Sequence, residues 1–66
     1  QRQKVWDAIQ NLGDQHRDII ILRDIEGCSY ESISDILDVP VGTVRSRLHR
    51  ARSQLRDDLD DLFADD

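Results

Sequence analysis

The sequence predicts an all-α domain of four helices whose last two form a helix-turn-helix. Three observations lead there. Aliphatic side chains recur at three- and four-residue spacing in four successive segments. Gly13, Gly27 and Pro40 separate those segments, each where a helix stops or starts. The chain has 66 residues, 38% apolar but only 5% aromatic, so it has material for one small core built mostly of Ile, Leu and Val. A domain this small is marginal alone and commonly gains stability from a partner.

The first helix is expected over about residues 3–12, where Val5, Ala8, Ile9 and Leu12 share a face and Trp6 stands beside them as a core anchor. The second is expected over 15–26, capped by Asp14 and carrying Ile19, Leu22 and Ile25 on one side. Its run Ile19-Ile20-Ile21-Leu22 would also suit a buried strand, but length and the lack of a pairing partner favour helix. Gly27 supplies a left-handed stop. Ser29 then caps a third helix over 30–37, with Tyr30, Ile33, Ile36 and Leu37 along one stripe. Asp38-Val39-Pro40 makes the turn, with Val39 as an apolar plug. Proline is well tolerated at a helix start, so a fourth helix is expected over about 41–60, striped by Val41, Val44, Leu48, Ala51 and Leu55.

A net charge of −5 argues, taken as a total, against a nucleic-acid partner. The distribution argues otherwise. Residues 1–40 carry four basic and eight acidic side chains, residues 41–56 carry five arginines and no acid, and residues 57–66 carry six aspartates. We therefore divide the chain into a helix-turn-helix unit over 1–56 and an acidic extension over 57–66. The basic block sits on the fourth helix. At about 100° per residue, Gly42, Ser46, His49, Arg50 and Ser53 oppose the apolar stripe, Thr43, Arg45 and Arg56 take the shoulders, and Arg47 and Arg52 flank it.

A helix in a major groove offers base edges to side chains near its N-terminal end. That selects Thr43, Arg45, Ser46, His49 and Arg50, with Arg47 beside them. Arginine donates twice to guanine, hydroxyls reach base edges or phosphates, and Gly42 lets the helix start approach the backbone closely. The bland alternative for any basic run is a solvated face. The capped helix and the proline-marked turn ahead of this one favour duplex DNA.

The strings Leu22-Arg23, Glu26-Gly27-Cys28-Ser29-Tyr30-Glu31 with Ile33, and Val39-Pro40-Val41-Gly42-Thr43-Val44-Arg45-Ser46-Arg47-Leu48-His49-Arg50-Ala51-Arg52 resemble region 4 of bacterial RNA polymerase sigma factors, in particular the extracytoplasmic-function class. The resemblance covers about residues 3–56. It implies binding of the −35 promoter element through Arg45, Ser46, His49 and Arg50, docking on the flap of the polymerase β subunit, and masking by an anti-sigma protein in many relatives. It also implies a region 2 domain upstream in a full-length member. An opening on Gln1, not Met, agrees with a segment of a longer protein. Three positions depart from the pattern: relatives usually carry Gly at Asp38, Ala at Ser34 and often Glu at Ser32, where Glu would complete a capping box with Ser29.

Other readings are weaker. A response-regulator output domain has a similar four-helix shape but a different string after Thr43-Val44. A module binding polymerase or an anti-sigma factor without DNA would suit the acidic total. No Ser-His-Asp or Cys-His arrangement and no Gly-rich phosphate loop is readable, so an enzyme is not expected, nor a cofactor. Cys28 has no nearby base to activate it and is read as a half-buried filler. His16 and His49 are too far apart for a metal site, and His16 is read as a surface residue. The single cysteine and the lack of a signal peptide or long apolar run point to a reduced, cytoplasmic setting without a membrane partner. The aspartates after Arg56 are read as a solvated tail, with competition against DNA for the arginines as the sharper alternative.

Overall fold

The computed structural model describes residues 2–63, with side chains to Asp61. Four helices follow one another: α1 (Arg2–Gln10), α2 (Asp14–Ile20) continued by a π-helical turn (Ile21–Ile25), α3 (Tyr30–Leu37) and α4 (Val41–Phe63). The all-α helix-turn-helix architecture is as the sequence predicts, with no strand among the described residues. At 1.5 Å per residue α4 is about 34 Å long, and it sets the long axis of a molecule measuring 40 × 18 × 16 Å. The other three helices all pack along it.

The core is one cluster. Ile9 and Leu12 come from α1 and the turn after it, Ile19 and Ile20 from α2, Ile33 from α3, and Val44, Leu48 and Ala51 from α4. Ile19, Ile33, Val44 and Ala51 are wholly inaccessible to solvent. Burying an aliphatic side chain of this size contributes about 1.5–3 kcal/mol. Leu22, Cys28, Tyr30, Leu37, Val39 and Leu55 close the margins, so Val39 does plug the turn and Cys28 does fill a half-buried gap.

Several boundaries and placements depart from expectation. α1 ends at Gln10, with Asn11 and Leu12 in a turn. Gly13, not Asp14, occupies the cap of α2; Asp14 is the first helical residue and pairs with Arg17 at 3.0 Å. The second helix is not α-helical to 26. From Ile21 its turns widen, with the Glu26 amide donating to the Ile21 carbonyl at 2.9 Å, five residues back. The added residue rolls Ile25 off the apolar side, and it is 57% exposed. Trp6 is not a core anchor: it is 43% exposed, because Ile9 and Leu12 already fill the space that α1 covers. Ile36 also faces outward. α4 runs to Phe63, beyond the expected 60, and is unbroken where the charge changes sign. Leu59 is half-buried there, one turn beyond Leu55 on the same side. The side chain of Leu62 and residues 64–66 of the acidic extension lie outside the described residues.

The turn between α3 and α4 is held locally. Ser29 caps α3, its hydroxyl oxygen accepting from the Ser32 amide at 3.1 Å. The Ser29 hydroxyl in turn donates to the Ser32 hydroxyl, so a serine pair stands where a capping box would. Asp38 ends α3 in the left-handed region at φ 57°. Across the turn the Ser34 hydroxyl donates to the Val39 carbonyl, while the Val39 amide donates to the Ser34 carbonyl at 3.1 Å. The Ser34 side chain thus braces the turn that Asp38 makes. The Pro40 carbonyl accepts from the Thr43 and Val44 amides and starts α4.

Two stability measurements check this packing. Leu48→Ala should cost about 2–5 kcal/mol in chemical denaturation, because the side chain is buried among residues from other helices. Asp38→Gly should raise stability by roughly 0.5 kcal/mol by relieving the left-handed residue, whereas Asp38→Val should lower it by about 1–2 kcal/mol.

Candidate nucleic-acid interface

The rotation of α4 decides what it shows to solvent. Val44, Leu48 and Ala51 are 0%, 2% and 0% exposed, so the opposite face is turned fully outward. Gly42, Ser46, His49 and Arg50 all lie exposed there. A Cβ on Gly42 would meet open space, so nothing within the chain requires glycine at that position. The Ser46 hydroxyl donates to the Thr43 carbonyl at 3.2 Å, which tucks it against the first turn. Thr43 is half-buried on one shoulder. Arg47 shares that shoulder, half-buried and about 160° around the helix from Arg45 at 100° per residue. Of the site residues read from the sequence, Gly42, Ser46, His49 and Arg50 therefore share the outward face, Arg45 stands on one shoulder, and Thr43 and Arg47 stand on the other.

Arg45 is exposed but leans towards the start of α3, its guanidinium carbon 5.7 Å from the centre of the Tyr30 ring. Arg23 lies over the same ring at 4.9 Å and donates to the Cys28 carbonyl at 2.9 Å. Two guanidinium groups thus share one aromatic side chain, an arrangement that places positive charge and limits its freedom. Sequence reasoning missed Arg23 and took Tyr30 only as a stripe residue. The signal was in the Gly27 turn, which at φ 75° folds the π-helical turn back onto α3, but its geometry could not be read from spacing.

Arg52 is engaged differently. Its Nε donates to Asp24 at 3.1 Å, and its Nη2 donates to the other carboxylate oxygen. Asp24 raises the Arg52 guanidinium further above its already high range. Among the described residues the arginine ion pairs are this one and those of Arg17 with Asp14 and Asp18. Arg45, Arg47, Arg50 and Arg56 have no acidic partner among the described residues. Of the aspartates that follow them, Asp58 accepts from Gln54 at 2.9 Å, and Asp58 and Asp61 border a hollow with Ala8 and Asn11 of α1 and the turn after it.

Away from α4, Val5, Trp6 and Ile9 of α1 and Ile25 of the π-helical turn line an open apolar groove of about 480 Å³, with Arg2 at its edge. Among the described residues no trio of His, Cys, Asp or Glu could hold a metal ion, and no helix is long and apolar enough to cross a membrane.

Residues 2–55 match the family described as Sigma-70, region 4. The chain belongs to that family. Its curated relatives place this region 4 domain in the extracytoplasmic-function class. The domain is 48% identical over 59 residues to the ECF RNA polymerase sigma-E factor of Haemophilus influenzae, covering 89% of the chain and 31% of that protein. It is 54% identical over 50 residues to the ECF RNA polymerase sigma factor SigE of Mycolicibacterium smegmatis, covering 76% of the chain and 20% of that protein. Over 54 residues it is 50% identical to the sigma-E factor of Escherichia coli, covering 82% of the chain and 28% of that protein. The domain thus spans less than a third of the length of these relatives.

Proposed function

We propose that this region 4 domain recognises the −35 element of promoters, with α4 seated in the major groove, and so directs RNA polymerase to start sites. One observation carries the reading: Ser46, His49 and Arg50 stand exposed on one face of a helix whose opposite face is wholly buried. A side chain in that position is free to meet a base edge. Arg50 is the strongest candidate for two-donor contact with guanine, and Ser46 and His49 border it. Arg45 and Arg23, gathered around Tyr30, supply positive charge for the adjoining phosphates, which position the domain without reading sequence. Gly42 leaves room for the DNA backbone at the helix start, where exposed amides favour phosphate.

The apolar groove of Val5, Trp6, Ile9 and Ile25 suits a protein partner. We assign it to polymerase, at the flap of the β subunit, and to any anti-sigma protein that competes for the same surface. Exposed tryptophan on a small domain is costly in water and is a common anchor at interfaces. No catalytic role or cofactor is proposed.

Competition binding on promoter duplexes at fixed salt tests the DNA reading. Arg50→Ala should cost about 1–3 kcal/mol and relax preference at one base position. A uniform loss across all sequences would make Arg50 a phosphate contact, and no loss would remove α4 from the groove. For the groove, Trp6→Ser should weaken association with core polymerase by roughly tenfold or more, while leaving the affinity of the free domain for duplex DNA unchanged.

A further inference from the structure

Arg45, His49, Arg52 and Arg56 follow one another at intervals of four, three and four residues. At 100° per residue they fall within about 60° of one another, so they form one stripe on the shoulder of α4. The three arginines of that stripe span about 16 Å along the axis. A row of cations beside a groove-facing helix is suited to a phosphate strand. Among the described residues only Arg52, the middle arginine, is held by an acid: Asp24, reaching across from the π-helical turn, takes it with both carboxylate oxygens. The pair lies at the surface, with the Arg52 side chain 45% and the Asp24 side chain 34% exposed. Arg52 is therefore not needed to fill the core, and Asp24 and the Tyr30 hydroxyl stand beside its guanidinium.

We infer that Asp24 is a positioning residue that withholds Arg52 from the DNA backbone and so limits how many phosphates α4 neutralises. The inference rests on the reading of α4 as the DNA-facing helix. A released Arg52 would add a contact to phosphate, which carries no sequence information. It would lengthen residence on every duplex alike, wrong sites included. The widened turn provides the device. Its neighbouring residues Arg23 and Asp24 engage Tyr30 and Arg52, while Ile25 turns out to the apolar groove.

The test measures binding of the full 66-residue chain to a promoter duplex and to a scrambled duplex over a series of salt concentrations, by fluorescence anisotropy. Asp24→Asn keeps the shape and removes the charge. It should tighten binding to both duplexes equally and steepen the slope of log K against log salt by about 0.9, the value of one added phosphate contact on B-form DNA. Asp24→Glu should behave as the parent. The double variant Asp24→Asn/Arg52→Ala should return the slope to the parent value, which ties the effect to Arg52. A purely structural role for Asp24 would instead lower the melting temperature and weaken binding with no change in slope. An unchanged or shallower slope for Asp24→Asn overturns the inference while leaving the DNA face intact, provided Arg50→Ala still weakens promoter binding. Failure of the parent chain to bind either duplex at low salt overturns both.

Discussion

Burial of Val44, Leu48 and Ala51 in one cluster with Ile19 and Ile33 sets the rotation of α4 about its own axis, and that rotation decides which side chains reach solvent. A slip of one residue would bring Arg45 or His49 inward and turn Leu48 out. The interior has no means of accepting that change, since the described residues include no buried polar or charged side chain. An unpaired cation placed there would cost far more than a domain of this size can spare. The register of the outward face of α4 is thus enforced from behind by hydrocarbon packing, and His49 and Arg50 on that face carry no part of the core.

The second constraint is the widened turn at the end of α2. It distributes three consecutive residues to three destinations: Arg23 to the Tyr30 ring, Asp24 to Arg52, and Ile25 to the groove beside Trp6. The basic cluster and the apolar groove are built of different side chains, yet both draw on this one segment. π-helical turns are uncommon and often sit at functional positions. Here the turn also explains why a stretch rich in isoleucine buries only its first half.

Most of the architecture was legible in the sequence, for identifiable reasons. Ser29, Gly27 and Pro40 announce their roles by backbone chemistry alone, and the spacing of Val44, Leu48, Ala51 and Leu55 declares an inward stripe. The exposed positions Gly42, Ser46, His49 and Arg50 follow from that stripe by arithmetic. Three things were not legible. The π-helical turn adds one residue to a periodic pattern without leaving a mark on it, so Ile25 was assigned to the wrong side. Trp6 was taken for a core residue because hydrophobicity does not say whether a face is covered by the same chain. The Asp24–Arg52 pair joins residues 28 apart in sequence, and no local pattern signals a contact at that separation.

The unbroken run of α4 from Arg45 to Asp61 places charges of opposite sign at the two ends of a single rigid rod. Viewed from beyond a Debye length of about 8–10 Å at physiological ionic strength, the whole domain is an anion, with a sequence pI near 4.7. Polyanions repel it at that range, and only at contact does the local field of the arginines reverse the sign. A molecule with such a dipole gains little from diffusional capture by bulk nucleic acid. On the proposed reading, a promoter contact through α4 is short-ranged and gains in rate from delivery, already oriented, by a larger assembly.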